Sequence, residues 1–112
     1  MSELAQQTCQ PCRRGAPPLS SGEQAPLLEQ LDPAWAVVDG HHLARSYAFP
    51  DFAHALAYTN AVGALAEQQN HHPDIHLAWG KVGIEIWTHA IDGLQRADFV
   101  LAAKCDRLYA ER

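Results

Sequence analysis

Between Lys81 and His89 the chain alternates without a break. Val82, Ile84, Ile86 and Thr88 take one side, and Lys81, Glu85, Trp87 and His89 take the other. A period of two is strand geometry, and one apolar side means one face against a core. The opposite face is then free for an active site or a partner. Trp35-Ala36-Val37-Val38 reads as a second strand. Asp39-Gly40 follows it, the dipeptide favoured in two-residue hairpin turns because both positions take positive φ. The return strand runs roughly from His42 to Phe49, with Leu43, Tyr47 and Phe49 on one face and Arg45 interrupting it. A fourth strand, around Ile75–Trp79, can pair with the first across Gly80.

Other segments follow a helical period. From Asp51 to about Gln69 alanine is frequent. Phe52, Leu56 or Ala55, Thr59, Val62 or Gly63, and Ala66 approximate one helix face. Asp51 is a suitable N-cap. The helix must stop near Asn70–His72, because Pro73 disfavours helical φ/ψ in the residue before it. A short helix from Ser20 or Ser21 carries Leu27, Leu28 and Leu31, with Pro26 admissible only near its first turn and Pro33 ending it. A last helix from about Arg96 to Ala110 carries Leu101, Cys105, Leu108 and Tyr109. This order has no βαβ regularity. It predicts an α+β fold, an antiparallel four-stranded sheet with helices packed on one face. Residues 1–18, broken by Pro11, Gly15, Pro17 and Pro18, read as a weakly ordered arm before a single domain over 19–112.

A length of 112 residues and 47% apolar content suit one small domain that gains from association. A net charge of -5 argues against nucleic acid and against an anionic membrane surface. Met1–Arg14 has no apolar core of a signal peptide and no stretch approaches a spanning helix, so a cytoplasm is the expected setting. The 3 cysteines give no disulfide framework. Cys9-Gln-Pro-Cys12 has the spacing of half a zinc site or of a redox pair. No second pair completes four ligands, so an exposed, dispensable arm is the expectation.

The chemistry lies in the second half. There are 7 histidines, and imidazole is the side chain best matched to proton transfer near neutral pH. His71 and His72 sit where the long helix stops, and His89 sits where the alternating strand ends. A helix end and a strand end beside one sheet make a concave site. Glu67 shares a helix face with His71 and would favour its protonated form. A metal reading would gather His71, His72 and His76 with Glu67, but adjacent histidines at a helix end rarely converge on one point. His41 and His42 read as a solvated hairpin tip, and His54 as an exposed helix position. No nucleophile motif or phosphate loop is evident.

The stretch Glu67-Gln-Gln-Asn-His71-His72-Pro73, then Trp79, Thr88-His89, Gly93-Leu94, Asp98 and Leu101-Ala102-Ala103-Lys104 resembles the pterin-4a-carbinolamine dehydratases over roughly residues 20–110. Trp79-Gly80-Lys81-Val82 with Trp87-Thr88-His89 is similar to the bacterial type. The resemblance implies a hydro-lyase that converts 4a-hydroxytetrahydropterin to quinonoid dihydropterin in pterin cofactor regeneration. It implies acid/base work by His71 and His89, with His72 catalytic mainly through substrate binding. Asn70, Trp87 and Thr88 would bind the pterin, Glu67 would tune, Trp79 would pack, and no metal or cofactor would be needed. Two departures stand out. Gln95 replaces a capping Ser or Thr, and Asp92-Gly93 replaces a double glycine; Asp98 then reads as a helix cap. The resemblance further implies a homodimer or homotetramer, with an aromatic amino acid hydroxylase or Rubisco as possible partners. The alternative function is a non-catalytic interaction protein of the same fold, a Rubisco assembly factor or a transcriptional dimerisation cofactor.

Overall fold

The computed structural model describes residues 3–9 and 17–112. After a 3-10 turn at Glu3–Gln6 come α1 (Ser21–Leu28), β1 (Ala36–Val38), β2 (His42–Ala48) and α2 (Phe52–Gln69). Next are β3 (Asp74–Ala78), β4 (Lys81–Ile86), a second 3-10 turn at His89–Ile91, and α3 (Arg96–Glu111). The strands form one antiparallel sheet in the order β1-β2-β4-β3. This is the expected α+β fold.

Local chemistry explains the two hairpins. Asp39 and Gly40 both have positive φ, 54° and 65°, which turns β1 into β2. Trp79-Gly80 joins β3 to β4. Trp79 does not pack there: it is 69% exposed at the tip of that hairpin, against expectation. Leu43 pairs with Ile86 and Tyr47 with Val82 across β2 and β4. These residues and Ile84 are buried on the helix side of the sheet.

α2 starts at Asp51, whose carboxylate accepts the His54 N–H at 2.8 Å. It buries Ala55, Tyr58, Val62 and Ala66 and leaves Phe52 and Leu56 exposed. The buried stripe is thus rotated from the expected one. Tyr58 sets that rotation, since its hydroxyl donates to the Cys105 carbonyl at 2.8 Å and draws this stripe against α3.

α3 is buried continuously from Ala97 to Cys105, with neighbours on several sides. One neighbour is the N-terminal segment, which corrects the arm expectation for residues 3–9. Leu4, Ala5 and Cys9 are buried. The Lys104 ammonium donates to the Ala5 carbonyl at 2.9 Å, and the Cys9 N–H donates to Oε1 of Gln69 at 3.0 Å. α3 carries more apolar surface than the sheet and α2 cover, and the segment takes up part of it. Cys12 lies outside the described residues.

The interruption at Arg45 also has a partner. The Asp106 carboxylate accepts from Arg45 Nη1 at 2.7 Å, from the Tyr47 hydroxyl at 2.5 Å and from Trp35 Nε1 at 3.0 Å. The Arg45 guanidinium lies 4.3 Å from the Tyr47 ring centroid. A half-buried charge is tolerable on the core side because Nη1 is paired with Asp106, although the buried Nε finds no hydrogen-bond partner among the described residues.

Candidate active site

α2 ends in a way that separates its two histidines. Asn70 adopts the left-handed conformation (φ 52°, ψ 42°), which asparagine tolerates better than most residues. The His71 N–H then bonds back to the Ala66 carbonyl at 3.2 Å, a left-handed helix termination. The chain leaves the helix axis at once. His71 goes to α3, and His72 returns to α2.

His71 Nε2 lies 2.6 Å from Oδ1 of Asp98, which is entirely buried. The other Asp98 oxygen accepts the Thr88 hydroxyl at 2.8 Å and the Gln95 N–H at 2.7 Å. Asp98 is therefore a helix cap, as the sequence suggests, and also the partner of His71. Burial of a carboxylate is costly unless donors surround it, and here they do. One carboxylate ties the α2 end with His71-His72 to the β4 end with Thr88-His89. The spacing after Gln95 signals the cap but not the contact with His71.

Glu67 does not pair with His71, as its helix-face spacing suggests, but with His72, Oε2 to Nε2 at 2.5 Å. The left-handed turn at Asn70 is the reason, because it takes His71 off the helical face. Both members are largely exposed, with side-chain exposures of 79% and 52%. Each imidazole of the metal reading thus has its own carboxylate: His71 with Asp98, His72 with Glu67, and His76 with Glu85 at 3.1 Å. No group of metal-holding residues is found among the described residues.

At the β4 end, Thr88 is buried and exchanges backbone bonds with Gly93, its N–H donating to the Gly93 carbonyl at 2.8 Å. Asp92 supplies the positive φ of the intervening turn (52°). Gly93 is required by contact, since a Cβ there would meet Pro18 at 2.7 Å. Leu19 N–H to Leu94 carbonyl at 2.8 Å and Gln95 Nε2 to Pro17 carbonyl at 2.6 Å strap the loop down. Gln95 thus anchors this strap instead of capping α3 with its side chain. His89 is exposed, and its ring meets that of Trp87 at 4.5 Å. Trp87 also contacts His41 at 5.4 Å and His42 at 5.8 Å. The hairpin tip is therefore more than a solvated turn, because the register of β2 on β4 brings it beside Trp87. His54 stays exposed and pairs with Asp51.

Cys9 has no reactive character. Burial pushes its thiol up to about 11, only partly opposed by the Lys104 ammonium, and its Sγ donates to the Ala97 carbonyl at 3.6 Å. A groove of about 580 Å³ on the open sheet face is lined by Ala44, Ser46, Ala78, Lys81 and Gly83 among others. None of His71, His72 or His89 lines it.

The family profile described as Pterin 4 alpha carbinolamine dehydratase matches residues 17–108. The chain belongs to this family. A Rubrobacter xylanophilus protein named "Putative pterin-4-alpha-carbinolamine dehydratase" is 56% identical, covering 96% of this chain and 100% of that one. An Alkaliphilus metalliredigens protein of the same name is 50% identical over 99% and 100%. Among solved structures, a transcriptional coactivator/pterin dehydratase from Brucella melitensis superposes with a TM-score of 0.76 at 30% identity, covering 81% of this chain and 97% of that one. A pterin dehydratase-like protein identified as a RuBisCO assembly factor in the alpha-carboxysome gives 0.58 at 26% identity, covering 67% and 88%. The pterin dehydratase family thus spans the present fold, including the segments that carry His71, His89 and Asp98. No helix among the described residues is long and apolar enough to cross a membrane.

Proposed function

We propose that this family member dehydrates 4a-hydroxytetrahydropterin to quinonoid dihydropterin. The contact between His71 Nε2 and buried Asp98 carries the proposal. A carboxylate behind an imidazole fixes its tautomer and stabilises its protonated form. With Nε2–H directed to Asp98, Nδ1 of His71 is the atom left to take a proton.

The reaction removes the N5 proton and the C4a hydroxyl, breaking the N5–H and C4a–O bonds and forming N5=C4a. His71 accepts the N5 proton. His89, exposed at the loop after β4, donates to the departing hydroxyl, which leaves as water. His72, paired with Glu67, binds the polar edge of the pterin, and Asn70 and Trp87 complete the binding surface, while buried Thr88 holds Asp98 from behind. The proton held by His71 returns through solvent to His89, so the enzyme is unchanged.

The test is dehydration of synthetic 4a-hydroxytetrahydropterin by purified protein without added metal. A rate above the buffer blank supports the reading, and a blank rate in folded protein ends it. The competing reading is a non-catalytic binding protein, motivated by the RuBisCO assembly factor among the structural neighbours. It predicts that blank rate together with binding to a partner such as Rubisco. In either reading the short chain and the edge strands β1 and β3 favour a homodimer or homotetramer.

A further inference from the structure

The hairpin tip holds a chain of titratable groups that the proposed reaction does not use. His41 Nε2 lies 2.7 Å from Oδ1 of Asp92. His41 Nδ1 lies 3.1 Å from Nδ1 of His42. His42 Nε2 faces Oε2 of Glu85 at 3.6 Å, and the other Glu85 oxygen meets His76 Nε2 at 3.1 Å. The chain crosses the open face from β3, over β4 and β2, to the loop that carries His89. His89 also contacts the Trp87 ring, and Asp39 is the further carboxylate of the turn itself.

Proton counting constrains this chain. His41 Nε2 is within hydrogen-bond distance of Asp92 and so carries hydrogen, whereas His42 Nε2 lies beyond that distance from Glu85. Two Nδ1 atoms at 3.1 Å can then hold one proton between them. With no proton there, two lone pairs face each other. With two, N–H meets N–H. The observed arrangement therefore needs one Nδ1 that carries hydrogen and one bare Nδ1 opposite it.

The consequence reaches His89 through Trp87. The indole contacts His41 at 5.4 Å, His42 at 5.8 Å and His89 at 4.5 Å between ring centroids. Asp92, which holds His41, closes the 3-10 turn that begins at His89. The tip and the turn are thus joined twice, by a hydrogen bond and by tilted and edge-on ring contacts. We propose that His41 and His42 share a single proton between their Nδ1 atoms and, through Trp87, act as positioning residues for the His89 imidazole. The catalytic meaning of this arrangement rests on the role proposed above for His89.

The test uses 15N-labelled full-length protein without substrate. One ring proton coupled to both Nδ1 nuclei is expected. His41→Ala should move the His89 ring resonances further than His54→Ala does. Independent titration of the two rings with no shared proton overturns the pairing, and unmoved His89 resonances overturn the positioning. In the dehydration assay, His41→Ala should lower kcat by about tenfold with KM changed by less than about twofold. A raised KM at unchanged kcat would count against positioning. If wild type shows no dehydration, the proposed reaction fails, while the substrate-free spectra still decide the pairing and the contact with His89.

Discussion

Asp98 meets His71 at 2.6 Å through one oxygen while its other oxygen closes the cap of α3 at the Gln95 N–H. The same side chain thus aims an imidazole and starts a helix. Replacing it by asparagine leaves one carbonyl oxygen and puts an amide N–H2 against groups that are donors. Asp98→Asn should lower the dehydration rate by about a hundredfold or more, since the tautomer and orientation of His71 are no longer held. It should also cost about 3 kcal/mol of stability, because donors in a closed site lose their acceptor. Rate and urea denaturation on one preparation check both. An unchanged rate in folded Asp98→Asn protein would remove His71 from the proton transfer.

The strands and helices were legible because their signals are local. Alternation marks β4, Asp39-Gly40 marks the first hairpin, and Pro73 bounds α2. What was not legible depended on direction after a turn. The spacing of Glu67 and His71 suggests a pair only if the helix continues, and the left-handed Asn70 breaks that condition. The same turn delivers His71 to Asp98, a residue far away in sequence. His41 and His42 read as surface because their neighbours come from β4 and its following loop. The N-terminal segment reads as an arm because its few apolar residues, Leu4 and Ala5 among them, show no period. Their value comes only from apolar surface left on α3.

Glu67→Gln provides the contrast to Asp98→Asn. The Glu67–His72 pair is largely exposed, so its loss should cost no more than about 1 kcal/mol of stability. The effect on rate should be smaller than that of Asp98→Asn and should fall mainly on KM, because His72 is assigned to binding. Steady-state kinetics on the two variants checks this. A larger kcat loss for Glu67→Gln would exchange the roles of His71 and His72.

The N-terminal segment should matter for stability. Leu4 is fully buried against the core, so Leu4→Ala should cost about 2–4 kcal/mol. Deleting residues 1–9 should cost at least as much, since it also removes the acceptor of Lys104 and the Cys9 bond to Gln69. Thermal denaturation of both variants is the check. An unchanged midpoint for the deletion would restore the reading of a dispensable arm.

Cys9 gives the segment a pH signature. Its thiol is held protonated by burial, with a folded pKa of about 11 against an ordinary 9.0. Between about pH 9 and 11 the unfolded chain has lost this proton and the folded chain keeps it, so the unfolded state binds fewer protons. Stability from this group is complete below about pH 9 and falls as pH rises through 11. Cys105, entirely buried and pushed up by the same cause, contributes with the same sign. Lys104 contributes with the opposite sign, because burial lowers its ammonium pKa. The diagnostic quantity is therefore the difference between wild type and Cys9→Ala. Urea denaturation of both across this range should show a shallower alkaline decline in the variant. Parallel declines would mean that Cys9 is not buried in solution, and rapid alkylation of Cys9 at neutral pH would say the same.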